Sequence, residues 1–127
     1  MIIVTGGAGF IGKNLVKELV NQGRIPYIID DLSNSTMHDV HPTCINYNGN
    51  VKDIDKINPS KVDVIYHLAG QSRVQPSFDN PVGSVESNVN GTQAVLEYAR
   101  KHKCKVIYAG SSSKHQNIYD SPYSATK

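Results

Sequence analysis

The sequence predicts an α/β protein built on a doubly wound parallel sheet, and three observations carry that expectation. Short apolar runs at residues 2–4, 25–30, 62–68 and 105–109 read as buried strands. Helical patterns alternate with them along the chain. Finally, the first strand passes into the first helix through Thr5-Gly6-Gly7-Ala8-Gly9-Phe10-Ile11-Gly12. A glycine-rich turn in that context marks a Rossmann-type fold, where it cradles a dinucleotide pyrophosphate at a helix N-terminus.

Taken in order, Ile2-Ile3-Val4 forms the first strand and residues 11–22 the first helix, with Ile11, Leu15, Leu19 and Val20 at helical spacing. Gly23 follows as its C-terminal cap. Within the glycine turn, Gly6 or Gly7 takes positive φ, Gly9 lets the backbone approach the phosphates, and Gly12 lets the helix lie close to the sheet. Residues 25–30 form the second strand, with Pro26 near its start, where proline is tolerated. A polar loop with a turn of helix spans 31–42, a short third strand 44–47, and a weak helix 53–57. The fourth strand is 62–68. Pro81 opens a long helix to His102, with Val85, Val89, Val95, Leu96 and Ala99 as its apolar face. The fifth strand is 105–109, and Ser121-Pro122-Tyr123 starts another helix. Right-handed crossovers then order the sheet 3-2-1-4-5 in one domain, residues 1–127.

Composition narrows the function. The chain has 127 residues and a net charge of +2 with both signs interspersed. It has no basic block for nucleic acid and no apolar run long enough for a membrane span. It begins on a strand with no secretory leader pattern, so the expected compartment is the cytoplasm. Cys44 and Cys104 stand far apart outside any C-x-x-C unit and read as reduced structural thiols. The five histidines form no i, i+4 pair backed by an acid, so no metal site is expected.

Two features carry chemistry. Asp30 ends the second strand, 18 residues after Gly12. An acid there accepts hydrogen bonds from ribose hydroxyls and repels a 2′-phosphate, so NAD is favoured over NADP, and Asp31 adds to that charge. Second, Tyr123-Ser124-Ala125-Thr126-Lys127 sets a phenol and an ammonium on one helical face. A cation one turn away favours a phenolate, which makes a tyrosine serviceable as a general base.

Together these motifs resemble the N-terminal part of the extended short-chain dehydrogenase/reductase family, which includes nucleotide-sugar epimerases and dehydratases. The carrying segments are Thr5 to Gly12, Asp30-Asp-Leu-Ser-Asn-Ser35, His67-Leu-Ala-Gly-Gln-Ser72, Ser87-Asn-Val-Asn-Gly-Thr92, Ser111-Ser-Ser113 and Tyr123-x-x-x-Lys127. They span the whole chain in family order. The loop from Asp30 to Ser35 and the Ser87 to Thr92 segment most resemble those of UDP-galactose 4-epimerases. The resemblance implies that Phe10 and Ile11 lie over the pyrophosphate. Asp30, Asp31, Leu32, Ser33, Asn34 and Ser35 would surround the adenosine ribose, and Asn50 and Val51 would sit at the adenine. Leu68, Ala69, Gly70, Ser72 and Ser87 would lie beside the cofactor. Ser111, Tyr123 and Lys127 would be the catalytic triad. Tyr123 removes the sugar hydroxyl proton, Ser111 hydrogen-bonds the same oxygen, and Lys127 holds the ribose and tunes Tyr123.

The pattern departs from the family at defined places. Asn50 replaces the usual Asp. Dehydratases and UDP-glucuronate decarboxylases of the family carry a glutamate two positions past the catalytic Ser or Thr; here that position is Ser113, next to Ser112, and neither serine is a carboxylate acid/base. Residues 114–120 are short and lack the family's Val-Tyr-Gly segment, and Lys114 and His115 read as solvated loop residues. The sequence stops at Lys127, ahead of the family's sixth strand and substrate domain, so a frayed terminal lysine is expected. In the family the 81–102 helix pairs two subunits, so a homodimer through it is expected. Three readings stay open: a nucleotide-sugar epimerase, another nucleotide-sugar oxidoreductase or dehydratase of the family, and a non-catalytic NAD-binding module.

Overall fold

The computed structural model describes residues 1–59, 61–115 and 117–127. Its sheet has five parallel strands in the order β3-β2-β1-β4-β5. They are β1 (Ile2–Thr5), β2 (Tyr27–Asp30), β3 (Ile45–Asn48), β4 (Val64–His67) and β5 (Lys105–Tyr108). β2, β4 and β5 are one to three residues shorter than their apolar runs, because pairing stops where the chain turns away from its neighbour, while β1 extends one residue past its run to Thr5. The strand order reverses direction at β1, so a crevice opens between the C-terminal ends of β1 and β4. Thr5 pairs with His67, and His67 with Tyr108, along that edge.

Alternation along the buried strands fills two cores. Ile2, Val4 and Ile28 face α1 (Phe10–Asn21) and meet Val16 and Leu19. Ile3, Ile29 and Ile65 face the other way, onto Val51, Ile54, Val95, Tyr98 and Ala99. Helix α1 ends in a Schellman cap, with Gly23 N donating to Val20 O and Arg24 N to Leu19 O. Of the predicted stripe, Leu19 is buried with Gly12 and Val16, and Leu15 and Val20 pack against the same core, but Ile11 is 64% exposed. The helix begins at the glycine turn, and that fixed start sets a phase that turns Phe10 and Ile11 toward the crevice.

The long helix predicted over 81–102 is three joined pieces: α3 (Pro81–Ser84), a π-helical turn (Val85–Asn90), and α4 (Gly91–His102). The π turn shifts the helical phase by adding a residue to the turn. Ser84, Asn88, Gly91, Val95, Tyr98 and Ala99 therefore face inward, while Val85, Val89 and Leu96 of the expected apolar face are exposed. A further helix, α2 (Val74–Asp79), was not legible in the sequence. It is short and carries Pro76, which is tolerated because first-turn amides need no partner. The weak helix near 53–57 is a 3₁₀ turn over Val51–Lys56. Another 3₁₀ turn covers Ser112–His115, and α5 spans Pro122–Thr126.

Candidate functional site

A cleft of about 800 Å³ runs along the C-terminal edge of the sheet. One wall is the glycine turn. Gly6 sits at φ +70°, settling which of the paired glycines makes the left-handed bend. Its amide donates to Ile29 O at 2.7 Å, which pins the turn against β2. A methyl group on Gly12 would overlap the Gly6 carbonyl oxygen and come within 2.8 Å of Gly7 Cα. Gly12 thus allows α1 to start tight against the turn itself. The free amides of the first turn of α1 and its positive dipole end face the cleft, as an anion site requires.

The second wall is the loop after β2. The Asp30 carboxylate is almost fully buried and already serves the fold. Oδ2 accepts from Ala8 N at 2.9 Å, and Oδ1 accepts from Leu32 N at 2.9 Å and Ser35 Oγ at 3.2 Å. A carboxylate has about four acceptor positions, so roughly one remains for a ribose hydroxyl. Asp30 thereby ties the glycine turn to the loop after β2 as well as lining the cleft. Asp31, Ser33, Asn34 and Ser35 line it too. Leu32 does not, contrary to expectation. Its backbone takes a left-handed φ of +59° to bring its amide to Asp30. Asn50 and Val51 line the cleft beside Gly49. The Asn50 Oδ1 caps the following 3₁₀ turn through Lys52 N at 3.0 Å.

The third wall comes from β4 and the π turn. Leu68, Ala69, Gly70, Ser72 and Ser87 line the cleft. Behind them Asn88 is buried, its Oδ1 accepting from Gln71 N at 2.8 Å and its Nδ2 donating to Gln71 O at 3.3 Å and Thr126 Oγ1 at 3.0 Å. A methyl on Gly70 would come within 2.8 Å of Asn88 Oδ1. At the rim, Glu86 pairs with Lys52, which holds its carboxyl below the usual range.

The catalytic candidates meet at the end of the cleft. Ser121 caps α5 by accepting from Ser124 N at 3.0 Å, with Pro122 in the first turn. The Tyr123 amide donates to Ser77 Oγ at 3.1 Å, so α2 anchors α5. Tyr123 Oη then lies 3.2 Å from Ser111 Oγ. Ser113, where the dehydratase glutamate would stand, donates to Ser111 Oγ from its backbone N at 3.2 Å, and its own hydroxyl lies 2.8 Å away. Lys127 lines the same cleft as Tyr123 rather than fraying. Its amide donates to Tyr123 O at 3.1 Å, and its Nζ lies 5.9 Å from the centre of the Tyr108 ring.

The cleft therefore gathers Gly6, Gly9, Phe10, Ile11, Gly12, Asp30, Tyr123 and Lys127, which are far apart in sequence. Ser111 sits just behind its surface, reached through Tyr123. The sequence reading missed Gln71, Arg73, Pro76, Gly83, Glu86 and Gly110 as lining residues. Pro76 comes in on α2, Gly83 on α3 and Glu86 on the π turn, while Gln71 and Arg73 precede α2 and Gly110 follows β5; no local pattern announces α2 or the π turn. His115 is exposed; the side chain of Lys114 and all of Gln116 lie outside the described residues.

A glycine turn under a helix N-terminus, an acid ending β2 and a Ser-Tyr-Lys cluster at the topological switch define a dinucleotide-binding protein of the short-chain dehydrogenase/reductase type. The chain belongs to the NAD-dependent epimerase/dehydratase family, whose model matches residues 2–126. It is 36% identical over 126 residues to a putative UDP-glucose 4-epimerase of Methanocaldococcus jannaschii, a match covering 96% of this chain and 40% of that protein. Among solved structures it is similar to a UDP-galactose 4-epimerase, at 33% identity and TM-score 0.87, covering 99% of this chain and 47% of that one. It is also similar to the Bordetella bronchiseptica enzyme WbmF in complex with NAD+, at 31% identity and TM-score 0.85, covering 99% and 42%. The chain thus spans about two fifths of the length of the curated relatives it matches. No helix among the described residues is long and apolar enough to cross a membrane.

Proposed function

We propose that this chain is the NAD-binding part of a nucleotide-sugar epimerase that works by transient oxidation of a sugar hydroxyl to a ketone. The observation that carries the reading is the 3.2 Å approach of Tyr123 Oη to Ser111 Oγ in a cleft that also holds Lys127 and the glycine turn. NAD, when bound, supplies a reversible hydride acceptor. The residues fit it: the turn approaches closely enough that Gly12 tolerates no Cβ, the α1 amides are free, and Asp30 keeps an acceptor position.

In this reading Tyr123 takes the proton from the sugar hydroxyl and later returns it. Ser111 donates to the same oxygen. Ser113 N–H and Oγ–H can fill both lone pairs of Ser111 Oγ, leaving the Ser111 proton to point at the reacting oxygen. Lys127 sets a positive charge in the same cleft, where negative charge builds on the phenol oxygen. The absence of a carboxylate at Ser112 and Ser113 favours epimerisation over elimination of water, because no side chain there has an acid/base suited to it. The exposed stripe of Val82, Val85, Val89 and Leu96 supports pairing of two copies through the 81–102 helix.

The test is turnover of UDP-glucose and related nucleotide sugars by the protein that carries this chain, with NAD present. Interconversion of epimers with no net NADH supports the reading. Steady accumulation of NADH or of a 4-keto-6-deoxy product overturns it in favour of another family chemistry. NAD binding with no turnover marks a binding module.

A further inference from the structure

His67 is the one buried imidazole in the sheet, 1% exposed at the end of β4, and neither the fold's apolar cores nor the proposed proton transfer uses it. Its Nδ1 lies 2.7 Å from Thr5 Oγ1, and its Nε2 lies 3.0 Å from Thr92 Oγ1 on α4. The two ends of this chain of contacts fix the direction of every proton in it. Thr92 Oγ1 donates to Asn88 O at 2.6 Å, and a carbonyl only accepts. The single Thr92 hydroxyl proton is therefore spent, so Thr92 must accept from His67 Nε2–H. At the other end, Ala69 N–H donates to Thr5 Oγ1 at 3.2 Å. The Thr5 hydroxyl proton is then free to bind the bare Nδ1. Each group has one partner for each proton, in a single head-to-tail run from Ala69 through Thr5, His67 and Thr92 to Asn88.

We propose that His67 is a positioning residue: held neutral with its proton on Nε2, it locks the ends of β1 and β4 to the π turn so that the cleft is assembled before any ligand arrives. The run begins at Ala69, which lines the cleft, and ends at Asn88, whose side chain holds Gln71 and, through Thr126, the helix that carries Tyr123 and Lys127. A ring at this position is fixed by both of its nitrogens, which an apolar residue of the same shape would not match. Burial and the nearby Lys127 charge also disfavour the imidazolium, and the other titratable ring against it is Tyr108, at 5.7 Å.

The inference rests on reading this cleft as the NAD site, and its test separates the two. Nitrogen-15 NMR of the imidazoles, with His67 assigned by its loss in His67→Gln, should show Nε2 protonated and Nδ1 bare at neutral pH. A proton on Nδ1, or on both nitrogens, overturns the proposal. Thr92→Val should speed hydrogen exchange at the Ala69 amide without cofactor and weaken NAD binding about tenfold, while Thr92→Ser stays within about twofold of wild type. Unchanged exchange and NAD affinity in a folded Thr92→Val protein overturn it as well. If the wild-type protein binds no NAD, the cofactor reading fails, while the tautomer and the Ala69 exchange still decide the role of His67.

Discussion

The Tyr123 phenol oxygen lies 3.2 Å from the Ser111 hydroxyl, and the two are presented by different elements twelve positions apart. Ser111 ends the loop after β5, where Ser113 ties it down. Tyr123 stands in the first turn of α5, held by the Ser121 cap and by Ser77 of α2. The contact therefore depends on three anchors outside the pair. In the proposed epimerisation, it is the geometry on which proton transfer from the sugar hydroxyl would depend.

Tyr123→Phe removes the only phenol in that contact and leaves the anchors in place. Turnover in the nucleotide-sugar assay should fall by about 10² to 10⁴, the usual contribution of a positioned acid/base. Calorimetry should show NAD affinity within a few-fold of wild type. An unchanged rate would remove Tyr123 from the chemistry.

Asp30→Asn tests a residue with two duties. The carboxylate accepts from both Ala8 N–H and Leu32 N–H, on different oxygens. An amide offers an oxygen at only one end and sets an N–H against the other donor. Urea unfolding should show a loss of about 1–3 kcal/mol. In wild type, NAD should raise the melting temperature more than NADP does. Equal shifts would contradict the role of Asp30 at the ribose.

Gly12→Ala places a methyl group on the Gly6 carbonyl. The obstacle is backbone, which cannot swing aside as a side chain can. Overpacking of this kind costs about 1–3 kcal/mol, and relief would come by opening the glycine turn. NAD affinity should fall with stability. A stable variant that binds NAD normally would mean that the turn is looser than its contacts imply.

His67 predicts an acid limb of stability. Burial first, and Lys127 second, push its imidazole down to about 4 from an ordinary value of 6.5. Below 6.5 the unfolded chain takes up a proton that the folded protein refuses. Stability should therefore be complete above pH 6.5 and fall as the pH drops toward 4, by about 3 kcal/mol in all. His67→Gln should lack this component when unfolding is followed between pH 7 and 4. The same slope in wild type and variant would show that His67 titrates normally.

Much of this molecule is legible in local patterns. The glycine turn, the Asp30 strand end, the Gly23 cap and the Ser121-Pro122 helix start each depend on neighbours a few positions away. Strand order follows from alternation of elements and right-handed crossovers. The predicted face of the 81–102 helix failed at Val85, Val89 and Leu96 because periodicity assumes one constant pitch, and the π turn breaks it. Ile11 failed for a related reason: the start of α1 is set by its packing on the turn, not by its own apolar spacing.

By itself the sequence determined the sheet, the dinucleotide cradle and the residue types available for catalysis, because period, glycine placement and capping act over one turn or one strand. Only the tertiary structure decided that Ser113 braces Ser111, that Asp30 joins the glycine turn to the loop after β2, and that His67 bridges Thr5 and Thr92. The His67 bridge spans 62 positions on one side and 25 on the other. Strand register and helix phase fix which hydroxyl meets which nitrogen across such distances, and no short stretch of sequence holds both.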